Sequence, residues 1–176
     1  EWDARWWSPI INAEHLQMRE AAAIIDLTAF AIFDITGPGA LGHVQRMAVA
    51  QMDVPVGRVV YTPLLNEAGG IKSDLTIMRL GRDHFRVVTG GAHGMADKKW
   101  FRDRMSEGAV VVDLTSSWTT IGIWGPKARE IVSAITDSDM SHQGFPFGTC
   151  REIEVGSLHV LASRISYVGE YGWELY

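Results

Sequence analysis

The chain has 176 residues, 47% of them hydrophobic, with seven tryptophans and 16 basic against 21 acidic side chains for a net charge of −5. That supplies a core for one large domain or one and a half small ones, while the lack of a basic stripe argues against nucleic acid as a partner. No run reaches the roughly 18 apolar residues of a membrane span, and neither a leader pattern nor a disulfide framework is present, Cys150 being the single cysteine; the expected place is the cytoplasm or, in a eukaryote, the mitochondrial matrix.

Residues 1–11 read as an aromatic linker from an upstream domain, with Trp2, Trp6, Trp7 and Pro9. Rings of this size bury about 150–250 Å² each, so these tryptophans either fold back or contact a surface upstream. Residues 12–176 read as the main domain. Asn12 is a candidate cap for a helix through Glu14, Leu16, Arg19 and Ala22. One internal repeat follows: Phe33-Asp34-Ile35-Thr36-Gly37-Pro38-Gly39-Ala40 opens a helix to Met47, and Gly122-Ile123-Trp124-Gly125-Pro126-Lys127-Ala128 opens a helix to Ile135. Each unit is strand, Gly-Pro, helix, with proline suited to a first helical turn.

Strands are expected at residues 58–62, 71–80, 84–89, 109–112, 149–155 and 158–166, with a helix near 92–104. The fold class is α+β: two related strand/helix halves whose antiparallel sheets are covered by helices on one side. The chain opens without methionine and stops at Trp173-Glu174-Leu175-Tyr176, inside an apparent strand. A strand ended there leaves backbone groups for further chain to pair, so a longer protein is expected.

The most informative stretch runs from Tyr61 to Leu80, two strands around Asn66-Glu67-Ala68-Gly69-Gly70. Strict alternation puts Lys72, Asp74, Thr76 and Met78 on one face and Ile71, Leu75 and Ile77 on the other. Asp74 is then a carboxylate at the start of an apolar strand, either capping turn amides or kept for a ligand, since burial without hydrogen bonds is costly.

Several familiar signatures fail. Gly37-Pro38-Gly39-Ala40-Leu41-Gly42 has the spacing of a dinucleotide fingerprint, but no strand ending in an acid follows about 20 residues on, and the second Gly-Pro unit lacks the later glycines. Gly70-Ile71-Lys72-Ser73 does not match a phosphate loop. The six histidines show no two-ligand spacing, so no metal is expected, and no G-x-S-x-G elbow exists.

In the second half, Tyr167-Val168-Gly169-Glu170-Tyr171-Gly172-Trp173-Glu174 sets an acid in a glycine bend among aromatics. A carboxylate there can accept two parallel N–H bonds from a flat heterocycle such as guanine or a pterin. The plain alternative is a hairpin with a solvated glutamate.

Taken in order, Arg5-Trp6-Trp7-Ser8-Pro9, Ile25-Asp26-Leu27-Thr28, Thr36-Gly37-Pro38-Gly39-Ala40, the Tyr61 to Thr76 block, Trp124-Gly125-Pro126-Lys127-Ala128 and Tyr167 to Glu174 resemble the folate-binding T-protein (aminomethyltransferase) family. Within it the chain looks most like the tetrahydrofolate-binding part of dimethylglycine and sarcosine dehydrogenases and oxidases. The resemblance implies a ring of three domains with folate in a central channel, Asp74 as catalytic acid, Glu170 on the pterin edge, and Tyr61, Thr76, Met78 and Tyr167 lining the pocket. It implies an arginine beyond Tyr176 that completes pterin binding, and an upstream FAD domain in the same protein as partner. That domain would oxidise an N-methyl amine, whose carbon tetrahydrofolate would capture as 5,10-methylenetetrahydrofolate. Lipoate-using members are expected to carry two acids in a row where Ser73 and Asp74 stand here, so lipoate-dependent aminomethyl transfer in glycine cleavage is one alternative. A catalytically silent folate-binding or structural docking domain is another.

Overall fold

The computed structural model describes residues 8–176, and Trp2, Trp6 and Trp7 lie outside them. Helix α1, Pro9–Glu20, is capped by Ser8, whose Oγ accepts from the Ile11 N–H at 3.4 Å. Pro9 fills the first helical position, where a missing N–H costs nothing. The cap is therefore Ser8 and not Asn12, the helix starts inside the tract read as linker, and it ends before Ala22.

Both Gly-Pro units form as expected: strand β2 (Ala31–Thr36) leads to α2 (Ala40–Met47), and β7 (Ile121–Trp124) leads to α4 (Ala128–Ser133), two residues short of Ile135. The prolines do not enter the helices. Ala40 N–H donates to Gly37 O at 2.9 Å and Ala128 N–H to Gly125 O at 3.0 Å, closing β-turns with Pro38 and Pro126 at the second position. Gly37 and Gly125 have φ of 102° and 132°, and a Cβ on either would stand 2.4 Å from a backbone carbonyl oxygen. Only glycine fits there.

Two five-stranded antiparallel sheets result. The first has the order β3-β4-β5-β2-β6, with β3 Val59–Leu65, β4 Ile71–Gly81, β5 His84–Thr89 and β6 Val110–Asp113. The second has the order β1-β7-β10-β9-β8, with β1 Ala23–Asp26, β8 Thr149–Val155, β9 Leu158–Arg164 and β10 Gly172–Leu175. Strand β1, unforeseen in the sequence, crosses into the sheet of the second half and pairs with β7. Strand β10 is internal, between β7 and β9, and Tyr176 exchanges backbone hydrogen bonds with Leu161 at 2.9 and 3.0 Å. The final strand is thus paired on both sides, contrary to the expectation of backbone groups left open.

The layers follow from alternation along the strands. Phe33, Ile35, Leu64, Leu75, Ile77, Phe85 and Val87 point to α2 and to Phe101 of α3 (Gly94–Asp103). Ile123, Ile153, Ala162 and Trp173 point to Ala128 and Val132 of α4. Between the sheets, Ile32, Val59, Met78 and Val88 meet Cys150, Leu161 and Tyr176. Each fully buried large side chain of these layers contributes about 1.5–3 kcal/mol. The inter-sheet layer also holds a buried ion pair: Arg86 gives Nε and Nη2 to Asp34 at 2.8 and 3.0 Å, and Trp118 stacks on the guanidinium at 4.4 Å.

Candidate functional site

The β3–β4 hairpin positions Asp74. Its turn is built by Asn66, whose Oδ1 accepts from the N–H groups of Ala68 and Gly70 at 3.0 and 2.8 Å, while Gly69 takes the positive φ of 81°. The pairing register slips between Leu64 and Leu65, so Leu64 faces Ser73 but Leu65 faces Ile71. This bulge breaks the alternation expected for residues 71–74. Lys72 leaves the Asp74 face, and its Nζ lies 4.3 Å over the ring of Trp100 on α3.

Beyond the bulge the alternation holds. Ser73 is buried on the helix side, where its hydroxyl donates to Asp97 Oδ2 at 2.7 Å, and Thr89 donates to the same oxygen at 2.6 Å. Asp74, Thr76 and Met78 share the opposite face, passing from exposed through half-buried to fully buried as the second sheet begins to cover it. Met78 packs within the inter-sheet layer and closes off the inner end of that face.

Across the hairpin, Tyr61 pairs with Thr76 and Pro63 with Asp74. Pro63 is tolerated because β3 is an edge strand. The Tyr61 hydroxyl donates to Asp74 Oδ2 at 2.6 Å, within the range of a well-formed O–H···O bond. That bond, with smaller contributions from burial, the Asp74 charge and nearby Tyr167, holds the Tyr61 phenol above its ordinary pKa. The Asp74 carboxylate is thus anchored by one oxygen on an open face beside the Tyr61 ring, which is 64% exposed; Tyr167 is 91% exposed.

Tyr167 comes from the loop between β9 and β10 and is near enough to Tyr61 for its charge to act on that phenol. Glu170, three residues on, is turned toward α1: its Oε1 lies 3.1 Å from Arg19 Nη1, which also donates to Val168 O at 2.8 Å. The structure therefore groups Tyr61, Asp74 and Thr76, puts Met78 behind them and gives Glu170 an arginine partner; Tyr167 is linked to the group only through its effect on Tyr61. Sequence reasoning missed Asp97 and Arg19. Asp97 sits in the first turn of α3, and its role emerges only once that helix is docked beneath β4 and β5.

Among the described residues no group of three or more His, Cys, Asp or Glu side chains could hold a metal ion, and no helix is long and apolar enough to cross a membrane.

The chain is 38% identical over 172 residues to 4-methylaminobutanoate oxidase (formaldehyde-forming) of Paenarthrobacter nicotinovorans, covering 97% of this chain and 21% of that protein. To human mitochondrial sarcosine dehydrogenase it is 33% identical over 185 residues, covering 94% and 20%. It spans about a fifth of the length of these curated relatives. The crystal structure of the glycine cleavage system aminomethyltransferase T from Bartonella henselae superposes with a TM-score of 0.80 at 25% identity, over 93% of this chain and 44% of that one. The model of the GCVT N-terminal domain matches residues 1–176, and the chain belongs to that family.

Proposed function

We propose that this domain binds tetrahydrofolate against the Asp74 face and serves one-carbon transfer from an N-methyl amine of the dimethylglycine or sarcosine type, yielding 5,10-methylenetetrahydrofolate. The observation that carries the reading is the Tyr61–Asp74 pair: a carboxylate held at 2.6 Å by a phenol on an open sheet face, beside the exposed ring of Tyr61. Two relatives are named for oxidation of N-methylamino acids, and a third solved relative is named an aminomethyltransferase. Their greater length leaves room for a flavin domain that would oxidise the amine; no residue of this chain is assigned to the flavin.

The residues present fit a folate. Tyr61 and Tyr167 offer stacking surface, and Glu170 offers a carboxylate for paired ring donors. Bound tetrahydrofolate would supply two amine nitrogens that take up the carbon. Asp74 would accept a hydrogen bond from a folate nitrogen, take up its proton and stabilise positive charge developing nearby. Tyr61 fixes the rotamer of Asp74 and keeps one oxygen occupied, leaving Oδ1 for that work. Ser73 supports the demethylating reading over a lipoate-dependent one: an acid at this position would meet buried Asp97 at hydrogen-bond distance, and like charges so close disfavour ionisation.

The test is single-turnover product formation in a full-length protein carrying Asp74→Asn. Amine oxidation should persist, while 5,10-methylenetetrahydrofolate formation falls by about 10²–10⁴, the range for a positioned acid or base. An unchanged rate and yield would remove Asp74 from the mechanism.

A further inference from the structure

The far side of the loop that carries Glu170 holds a second, cationic cluster. Arg129, at the start of α4, places its guanidinium 4.7 Å from the Tyr171 ring centroid, and Arg164, at the end of β9, lies 5.6 Å from the same ring and 5.7 Å from that of Trp173. Arg164 is 3% exposed. It donates to Phe145 O and lies 3.3 Å from His142 Nδ1, neither of them a carboxylate. Among the described residues neither arginine has a carboxylate within salt-bridge distance, whereas Arg86, Arg79 and Lys98 have Asp34, Asp53 and Asp113. Arg151, the nearest comparable case, donates to Asp139 O and lies near that carboxylate.

The unpartnered atoms are specific. Among the described residues, Nε and Nη2 of Arg129 are buried without a hydrogen-bond partner, as is Trp173 Nε1. These are the two nitrogens that Arg86 presents to Asp34 at 2.8 and 3.0 Å, the edge of a guanidinium that matches the two oxygens of a carboxylate. Buried polar groups are ordinarily satisfied, and a second cation beside an unpaired one adds repulsion. The same fork is thus filled in one sheet layer and open in another.

We propose that Arg129 and Arg164, around the Tyr171 ring, form a carboxylate-binding site in which Arg129 takes the anion through Nε and Nη2. Tyr171 lies over the fork with 48% of its surface exposed, and it turns aside to admit the anion. Because Tyr171 follows Glu170 directly, occupancy also sets the loop that carries Glu170. The carboxylate comes either from a free dicarboxylate or from a side chain of a longer polypeptide, for which the length of the relatives leaves room.

Calorimetric titration with sodium glutarate, at ionic strength matched with sodium chloride, tests this. The chain should bind one glutarate, with Arg129→Gln weakening it at least about ten-fold and Arg129→Lys failing to restore it, since an ammonium lacks the fork. Arg82→Gln, at a side chain 92% exposed in the first half, should leave binding unchanged. Absence of stoichiometric binding, or equal affinity in Arg129→Gln, overturns the site. In a longer polypeptide containing this domain, retained glutarate binding identifies a free dicarboxylate as the source. Loss of that binding, with a lower melting temperature for Arg129→Gln, identifies an internal carboxylate; loss with an unchanged melting temperature overturns the proposal.

Discussion

Glu170 meets two demands on one carboxylate. In the structure it is bound to Arg19, and in the proposed complex it grips the pterin edge. The Arg19 side chain is 45% exposed, so this pair is screened by solvent and contributes no more than about 1 kcal/mol. Hydrogen bonds from a ligand to a charged acceptor are worth about 1.5–3 kcal/mol, enough to draw Glu170 away from the helix. Glu170→Ala should therefore weaken tetrahydrofolate binding by that amount, and Glu170→Gln by nearly as much, because an amide offers one acceptor where two donors must be met. Arg19→Gln should leave affinity equal or slightly higher. Titration calorimetry decides the matter: wild-type affinity in both Glu170 variants would leave this residue only a partner for α1.

At the scale of elements, the strand, Gly-Pro, helix order of both units and the glycine hairpin at residues 66–70 were legible because their residues act locally, whereas the place of the prolines, in turns before the helices, and the Asn66 side chain's part in its turn were not. Strand β1 was not. Four residues with Ile24 70% exposed carry no strand pattern, and the partner strand is nearly a hundred residues away. Asp74 was legible as an acid at a strand start, but the departure of Lys72 was not, since a bulge is a matter of pairing and not of residue type. The arginines at 129 and 164 show no spacing at all and meet only through the fold. Gly125→Ala forces a φ of 132° on a residue with a Cβ and sets that atom 2.4 Å from Ala21 O, so it should cost about 1–3 kcal/mol in urea unfolding. Gly42→Ala, inside α2 with nothing within 4 Å of the new atom, should instead stabilise by about 0.5–1 kcal/mol. Equal effects at the two positions would remove the steric account of the turn.

The whole molecule rests on the layer between its sheets, where apolar packing surrounds a few ionisable groups. Asp34 and Arg86 satisfy one another there, but among the described residues Glu174 on β10 has only the Tyr176 hydroxyl, which donates to its Oε2. Burial raises the Glu174 carboxyl above its ordinary value, more than the Tyr176 bond lowers it. A carboxyl with a raised folded pKa holds its proton more tightly in the native chain than in the unfolded one. The native state binds more protons in the window above the ordinary carboxyl range, so stability falls as pH rises through that window. Glutamine keeps the shape and the acceptor for Tyr176 but has no charge to lose. Glu174→Gln should thus unfold at higher urea than the wild type at pH 8, with the gap shrinking toward pH 5. A gap that stays constant between those two conditions, or a variant weaker at both, would mean that the Glu174 charge is satisfied in the folded chain and that the inter-sheet layer is indifferent to its protonation.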